Sequence, residues 1–356
     1  MSVHDDRRTV LRAGLGACAA LLVGCDAQRA PRTSASELQA FSGQAMGTTY
    51  HVRFAAARPD AGLLEAARRA AAAALEGVEQ RMSAFRRDSE LSRLNRQAGE
   101  EPFAVSADTL EVFSTARMVS DASGGAFDVT AGGLVNAWGF GPDKLHRVVP
   151  APEVAMLRER MGYRGLHIDA GERRITKTHP GLMSDLSGIA KGHGVDRAAQ
   201  ALEALGIGDY VIEAGGEVRA RGNRHDGRPW QVGVEQPNAW PQEARWVVPL
   251  RDLSMATSGD YRIFFERNGR RYCHEMDPST GRPIAHRLTS VTVVAPLCAV
   301  ADAFATALIV LGPDRGPALA ERLGLAAYFI TREADGALRD RQTSAFSALG
   351  GRSALV

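Results

Sequence analysis

Apolar positions along the chain fall into short alternating runs and longer helical stripes, without settling into strict strand–helix–strand repeats. Alternation ending in His51-Val52-Arg53-Phe54 predicts a strand with Met46-Gly47-Thr48 at its start, preceded by a Gly-punctuated segment from Phe41. A run of helix formers predicts a helix from about Gly62 to Phe85, and Asp88 or Ser89 can cap a short one after it. Ser106 caps a helix to about Ser123, stopped by Gly124-Gly125. Pro152 suits the first turn of a helix closed by Gly162, and a hairpin follows over 166–169 and 173–176. A helix ends near Leu205-Gly206, with strands at 210–214 and 217–220 about Gly215-Gly216, then at 231–235 and 246–250. Strands over 261–267 and 270–276 flank Asn268-Gly269, the strongest short-range hairpin signal in the chain. A strand near 290–295, a helix through Asp302 and Thr306, a helix from about Gly316 and a strand near 326–330 complete the pattern. Several strand pairs are hairpins, so the pattern predicts an α+β fold: two lobes of mixed or antiparallel sheet flanked by helices, with a composite active site between them.

Composition narrows this little but usefully. A chain of 356 residues, 45% hydrophobic, can bury a substantial core. Its 43 basic and 41 acidic residues are well mixed, so the net charge of +2 carries no nucleic-acid footprint. The N-terminus reads as an address. Arg7-Arg8 heads an apolar run, Ala13 to Gly24, too short to span a bilayer, and Leu22-Val23-Gly24-Cys25 looks like a bacterial lipobox with Cys25 as the lipidated residue. The expected organisation is a signal over 1–24, a lipidated tether over 25–39 and a catalytic domain over 40–350, held at the periplasmic face of the inner membrane. Only Cys273 and Cys298 remain in the body; two buried thiols, rather than a single bridge, is the expected state.

Candidate chemistry concentrates between Met255 and Gly312. Asp302 and Thr306 stand at i and i+4, so on a helix a carboxylate and a hydroxyl share one face as oxygen ligands of a hard cation would; capping or surface roles are the alternative. His274, delivered by the Asn-Gly hairpin, is a candidate base near neutral pH or a structural histidine. The segment 184–192 puts a Gly-bearing turn and Lys191 at a helix start, suited to phosphate or simply to an ordinary helix with a solvated lysine. Trp138 and Phe140 read as core more than as flavin-stacking surfaces.

In combination, Met46-Gly47-Thr48, 126–130, 134–141, 185–192, 257–261, 274–281 and 301–306 resemble the ApbE family of FAD:protein FMN transferases, in order and with compatible spacing. The resemblance implies a Mg²⁺-dependent enzyme that splits the pyrophosphate of FAD and attaches FMN through a phosphoester to a Thr or Ser of a target protein, releasing AMP. It places Met46, Phe85, Ala126, Phe127, Asp128, Asp185, Lys191 and Met276 against FAD. It gives the metal to Asp302, Thr306 and the carbonyl of Gly188, and makes His274 the residue that activates the acceptor hydroxyl. The implied acceptors are membrane respiratory redox subunits. Three departures stand out: Phe85 where many members have tyrosine, Cys273 for the first of two adjacent histidines, and Ala305 where some place a second aspartate. An FAD pyrophosphatase and a non-catalytic flavin-binding lipoprotein are the competing functions.

Overall fold

The computed structural model describes residues 37–56, 60–237 and 239–355; the twin-arginine segment, Cys25 with its lipobox, and the tether through residue 36 lie outside the described residues. Eight strands form the central sheet: β1 (Glu37–Ala45), β2 (Thr48–Ala56), β3 (Tyr210–Ala214), β4 (Glu217–Arg221), β5 (Leu253–Gly259), β6 (Leu288–Ala295), β7 (Ala326–Arg332) and β8 (Leu338–Gln342). They lie side by side in chain order, each antiparallel to its neighbours. The fold is thus a meander, and most other elements are inserted between its strands, with only Ser344–Ser347 and Arg352–Ser353 following the last one among the described residues. The α+β expectation with antiparallel sheet holds.

Between β2 and β3 come helices α1 (Ala61–Met82), α2 (Glu90–Arg96), α3 (Ala107–Ser123), α4 (Gly132–Ala137), α5 (Ala151–Glu159) and α6 (Ala190–Ala204). Between β6 and β7 lies α7 (Cys298–Leu323), broken at Gly312, where φ is 81° and Pro313 follows, so the two helices expected there meet end to end. Local chemistry sets several helix ends. Ser89 accepts from the Ser92 N–H, Ser106 from the Thr109 N–H, and Gly124 closes α3 in the left-handed region.

Alternation along the strands sorts the core onto both faces of the sheet. Tyr210, Ile212 and Ala214 of β3 pack with α1 and α6, while Val211 faces the other side. Ala327 and Phe329 of β7 join α3 and α7 in a second cluster on the helix face. The opposite face, with Val218, Val294, Tyr328 and Ile330, is covered by a three-stranded sheet of Trp230–Glu235, Ala244–Leu250 and Arg352–Ser353. β6 is buried along its whole length, as a strand covered on both faces must be.

Three strands differ from expectation. The Gly-punctuated segment before Met46 is itself β1, and Met46-Gly47 is the two-residue turn of a hairpin, with φ of 53° and 73°. Gly43 is there because it lies opposite Tyr50, whose ring covers it; an added Cβ would sit 2.5 Å from that ring. The polar cluster opening at Met255 is β5, hidden from pattern reading because its alternate Ser and Thr positions are buried or bonded across the sheet, as Thr257 to Thr292 at 2.7 Å. β8, Leu-Arg-Asp-Arg-Gln, has no apolar face to read because it is the sheet edge, where charges discourage further pairing. Cys273 and Cys298 are buried and unbridged, as expected.

Candidate active site

The site grows from the contact of α6 with α7. No side chain of α7 itself caps its first turn; Asp196 of α6 does so across the fold, accepting from the N–H groups of Cys298 and Ala299 at 3.0 Å each. Arg219 of β4 holds Asp196 at 2.8 Å. One turn earlier on α6, Gly192 lies so close to α7 that an added Cβ would be 2.5 Å from the carbonyl oxygen of Cys298. That approach brings the Gly192 N–H to Oδ2 of buried Asp302 at 3.0 Å. One turn further along α7, Thr306 meets Ser258 of β5, Oγ to Oγ1 at 3.2 Å, and faces Gly188, where an added Cβ would lie 3.1 Å from Thr306 Oγ1. Gly188, Asp302 and Thr306, distant in sequence, therefore converge.

Charge around this point is unbalanced. Lys191 pairs with Oε1 of Glu217 at 2.5 Å, while Oε2 of Glu217 is buried without a hydrogen-bond partner. Burial pushes the Glu217 carboxyl up to about 8 against the opposing pull of Lys191. Glu275, also buried, is raised to about 8 by desolvation, with Lys191 lowering it and Asp302 and Asp260 adding to the rise. Asp302 is raised by burial for the same reason. Three buried carboxyls share the charge of Lys191 alone, so burial favours their neutral forms, and a further cation would favour their ionised ones. Among the described residues no group of three or more His, Cys, Asp or Glu side chains converges as a metal cage, so a metal here would rely on hydroxyl and backbone oxygens as well. The sequence pattern did not single out Glu217 or Glu275; the signal available was a glutamate directly after Gly215-Gly216 at the head of an apolar strand, and one beside His274.

His274 stands at the end of the Asn268-Gly269 hairpin, with β-pairing of Phe264–Arg267 to Arg270–Cys273. Its Nε2 is 3.7 Å from Glu275 Oε1, its backbone N–H donates to the Ile263 carbonyl, and its side chain keeps 34% exposure. Burial of most of the ring, reinforced by the charge of Lys191, lowers its pKa to about 4, so it is neutral at pH 7. Aromatic rings fix the hairpin against the loop after α4: Trp138 stacks on Tyr272 at 5.5 Å, Tyr272 on Phe265 at 5.1 Å, and Phe140 lies edge-on to His274 at 6.4 Å. Trp138 also donates from its indole N–H to the Gly281 carbonyl at 3.1 Å, the core role expected of it.

The remaining candidates spread around this centre. Met46 touches α6, its Sδ filling the space over Gly194, and its N–H donates to Glu79 at 2.9 Å. Phe127 is buried beside Gly188, and Ala126 is partly buried next to it. Asp128 turns inward, accepting from the Thr130 N–H and hydroxyl and from the Tyr163 N–H. Asp185 accepts from the Ser187 N–H at 2.7 Å and hydroxyl at 2.5 Å, shaping the turn that presents Gly188. Phe85 is 55% exposed, with the Lys144 ammonium 5.7 Å from its ring centre. Met276 is buried against Trp138, Val149 and Val154.

Comparison with known proteins identifies the chain's relatives. The ApbE family model matches residues 46–329. The FAD:protein FMN transferase of Haemophilus influenzae is 42% identical over 86% of this chain and 90% of its own length, and that of Vibrio cholerae 41% identical over 89% and 92%. Among solved structures, the flavinyl transferase ApbE of Pseudomonas stutzeri in its apo form superimposes with a TM-score of 0.80 at 37% identity, covering 88% of this chain and 97% of that one. With its ordered motifs converging on Gly188, Asp302 and Thr306 and the family model spanning most of its length, the chain belongs to the ApbE family.

Proposed function

We propose that this chain is an FAD:protein FMN transferase that moves FMN from FAD to a Thr or Ser hydroxyl of a target protein as a phosphoester, with AMP leaving. The observation that carries the reading is the convergence of Gly188, Asp302 and Thr306 beside Lys191 and within a pocket of buried carboxyls. The donor set fits Mg²⁺: Oδ2 of Asp302 is held by Gly192, leaving Oδ1 for a ligand, and hydroxyl and carbonyl oxygens suit a hard cation. Held by Asp302, Thr306 and the Gly188 carbonyl, Mg²⁺ would neutralise charge on the pyrophosphate.

The chain's own residues supply the rest. Lys191, paired with Glu217, offers its ammonium to the phosphates. Met46, Phe127 and Asp185 shape the approach on the α6 side. The acceptor oxygen attacks phosphorus, the phosphorus–oxygen bond to AMP breaks, and the hydroxyl proton passes to Nε2 of neutral His274 on the side of Glu275. Phosphate bound beside Lys191 offsets the positive charge that weakens His274, so the base strengthens when FAD is in place.

Residues 40–350 are the catalytic domain, and the N-terminal signal and lipobox assign it to the periplasmic face of the inner membrane through Cys25. Among the described residues no helix is long and apolar enough to cross a membrane. The expected acceptor is a membrane respiratory redox subunit. Mass spectrometry of such subunits, made with and without this protein, tests the reading: FMN on a Thr or Ser appears with the native chain and disappears with Asp302→Ala. Full labelling by that variant refutes the metal assignment, and FMN and AMP released at the transfer rate without acceptor identifies a pyrophosphatase instead.

A further inference from the structure

The loop that presents Gly188 is held from two sides, as a strand would be. On one side the Gly132 N–H donates to the Met183 carbonyl at 3.1 Å, and the Asp185 N–H to the Val129 carbonyl at 2.7 Å. Ser184, between them, turns its backbone the other way, where it meets the side chain of Asn95. The Ser184 N–H donates to Asn95 Oδ1 and Asn95 Nδ2 donates to the Ser184 carbonyl, each at 2.8 Å. A primary amide presents a donor and an acceptor side by side, so it can take the place of a neighbouring strand's peptide groups. Its orientation is fixed by its partner, since a peptide N–H can only donate and a carbonyl only accept.

Asn95 is itself firmly mounted. It stands in the last turn of α2, whose Leu91 and Leu94 are buried and whose cap, Ser89, also donates its hydroxyl to the Ser83 carbonyl at 2.7 Å. The carbonyls at the end of this short helix are taken up by Lys177 of the strand Arg174–Lys177. Its buried ammonium donates to the carbonyls of Asn95 at 3.2 Å, Gln97 at 2.7 Å and Pro180 at 3.4 Å. Lys177 thus ties the backbone of Asn95 to the chain that leads into Ser184, and the Asn95 side chain ties that chain back to α2.

From this clamp the chain takes a short path to the cation site. Oδ1 of Asp185 accepts from the Ser187 N–H and hydroxyl, the Leu186 carbonyl accepts from the N–H groups of Ile189 and Ala190, and α6 begins. Gly188 is left facing Thr306. A ligand that is a backbone carbonyl has no rotamer to adjust, so its position is set by whatever holds the chain on either side. After Gly188 the chain is held by α6, and before it by the clamp at Ser184. We infer that Asn95 is a positioning residue for the cation site, fixing Ser184 from 89 residues away so that the Gly188 carbonyl is presented to the metal beside Asp302 and Thr306. The inference rests on the transferase reading with its metal assignment, and adds to it the side chain that builds the backbone ligand.

The test uses the full chain with Mn²⁺ as the probe, read by electron paramagnetic resonance with and without FAD, each protein being measured well below its own Tm. Asn95→Leu keeps the bulk and removes both bonds, while Asn95→Asp keeps the acceptor and sets a second carboxylate oxygen against the Ser184 carbonyl. Both should weaken the Kd for Mn²⁺ by about 10–100-fold, the loss typical of removing a group that orients a metal ligand. The Mg²⁺ concentration giving half-maximal FMN transfer should rise by a similar factor. Phe346→Leu, in the apolar cluster on the opposite face of the sheet, supplies a loss of Tm for comparison and should leave the Kd at its native value. A native Kd in folded Asn95→Leu or Asn95→Asp overturns the inference. So does an equal weakening in Phe346→Leu, which would make the effect one of stability alone. Should Asn95→Leu not fold, the isosteric Asp variant decides by itself. A native chain that binds no Mn²⁺, with or without FAD, is a different failure, that of the metal assignment, and this inference falls with it.

Discussion

Gly192→Ala is the smallest change that should dismantle the site. Its Cβ would lie 2.5 Å from the Cys298 carbonyl oxygen, 2.7 Å from the Cys298 carbonyl carbon and 2.8 Å from the Ala299 N, all backbone atoms that cannot rotate away. Restoring ordinary contact moves α7 from α6 by about 0.9 Å. The Gly192 to Asp302 hydrogen bond, 3.0 Å in the native chain, then stretches beyond the range in which it holds. Overpacking of this kind costs about 1–3 kcal/mol, and losing a buried bond to a carboxyl about 1.5–3 kcal/mol more. Thermal denaturation should therefore show a Tm lower by roughly 4–9 °C for a domain of this size. FMN transfer should fall much further than stability, because the same shift separates Thr306 from Gly188 and removes the orientation of Asp302. Gly208→Ala is the control, since nothing lies within 4 Å of its added Cβ. Native Tm and native transfer in Gly192→Ala would refute the claim that the α6–α7 contact builds the site.

Glu213 tests the electrostatics separately from catalysis. Its buried carboxyl is raised to about 8, chiefly by burial, above its ordinary value of 4.5, and Oε1 accepts from the Gly216 N–H at 2.8 Å while Oε2 has no partner. Between those pKa values the unfolded chain is ionised and the folded one is not, so this group lowers stability as pH rises from about 4.5 to 8. Glu213→Gln keeps the bond to Gly216 and should raise Tm at pH 8 while leaving it unchanged at pH 4; an equal gain at both would disprove the assignment. His274→Gln should reduce kcat for FMN transfer by about 10²–10⁴ with little change in the Kd for FAD, and a parallel loss of FAD affinity would show that His274 binds rather than accepts a proton.

Much of the fold was legible because its signals are local. Ser89 and Ser106 cap within three residues, Gly124 closes α3 in its own turn, and Asn268-Gly269 sets a hairpin through its own dihedral angles. Asp302 and Thr306 were legible as a pair because helical spacing alone puts them on one face. β5 and β8 escaped pattern reading because burial from both faces, or a place at the sheet edge, is decided by neighbours far along the chain.

By itself the sequence determined, through its ordered motifs, the family to which the chain belongs, and it nominated Asp302, Thr306 and His274 as candidates for the chemistry. Only the tertiary structure decided their state. Asp196 caps α7 from 102 residues away, Gly192 lets two helices approach until Asp302 meets its N–H, and Lys191 finds Glu217 on a strand of the meander. The acids that surround Lys191 are exceptional chiefly through burial, and burial belongs to the packed molecule: the same glutamates in the unfolded chain would be ordinary charged groups in water.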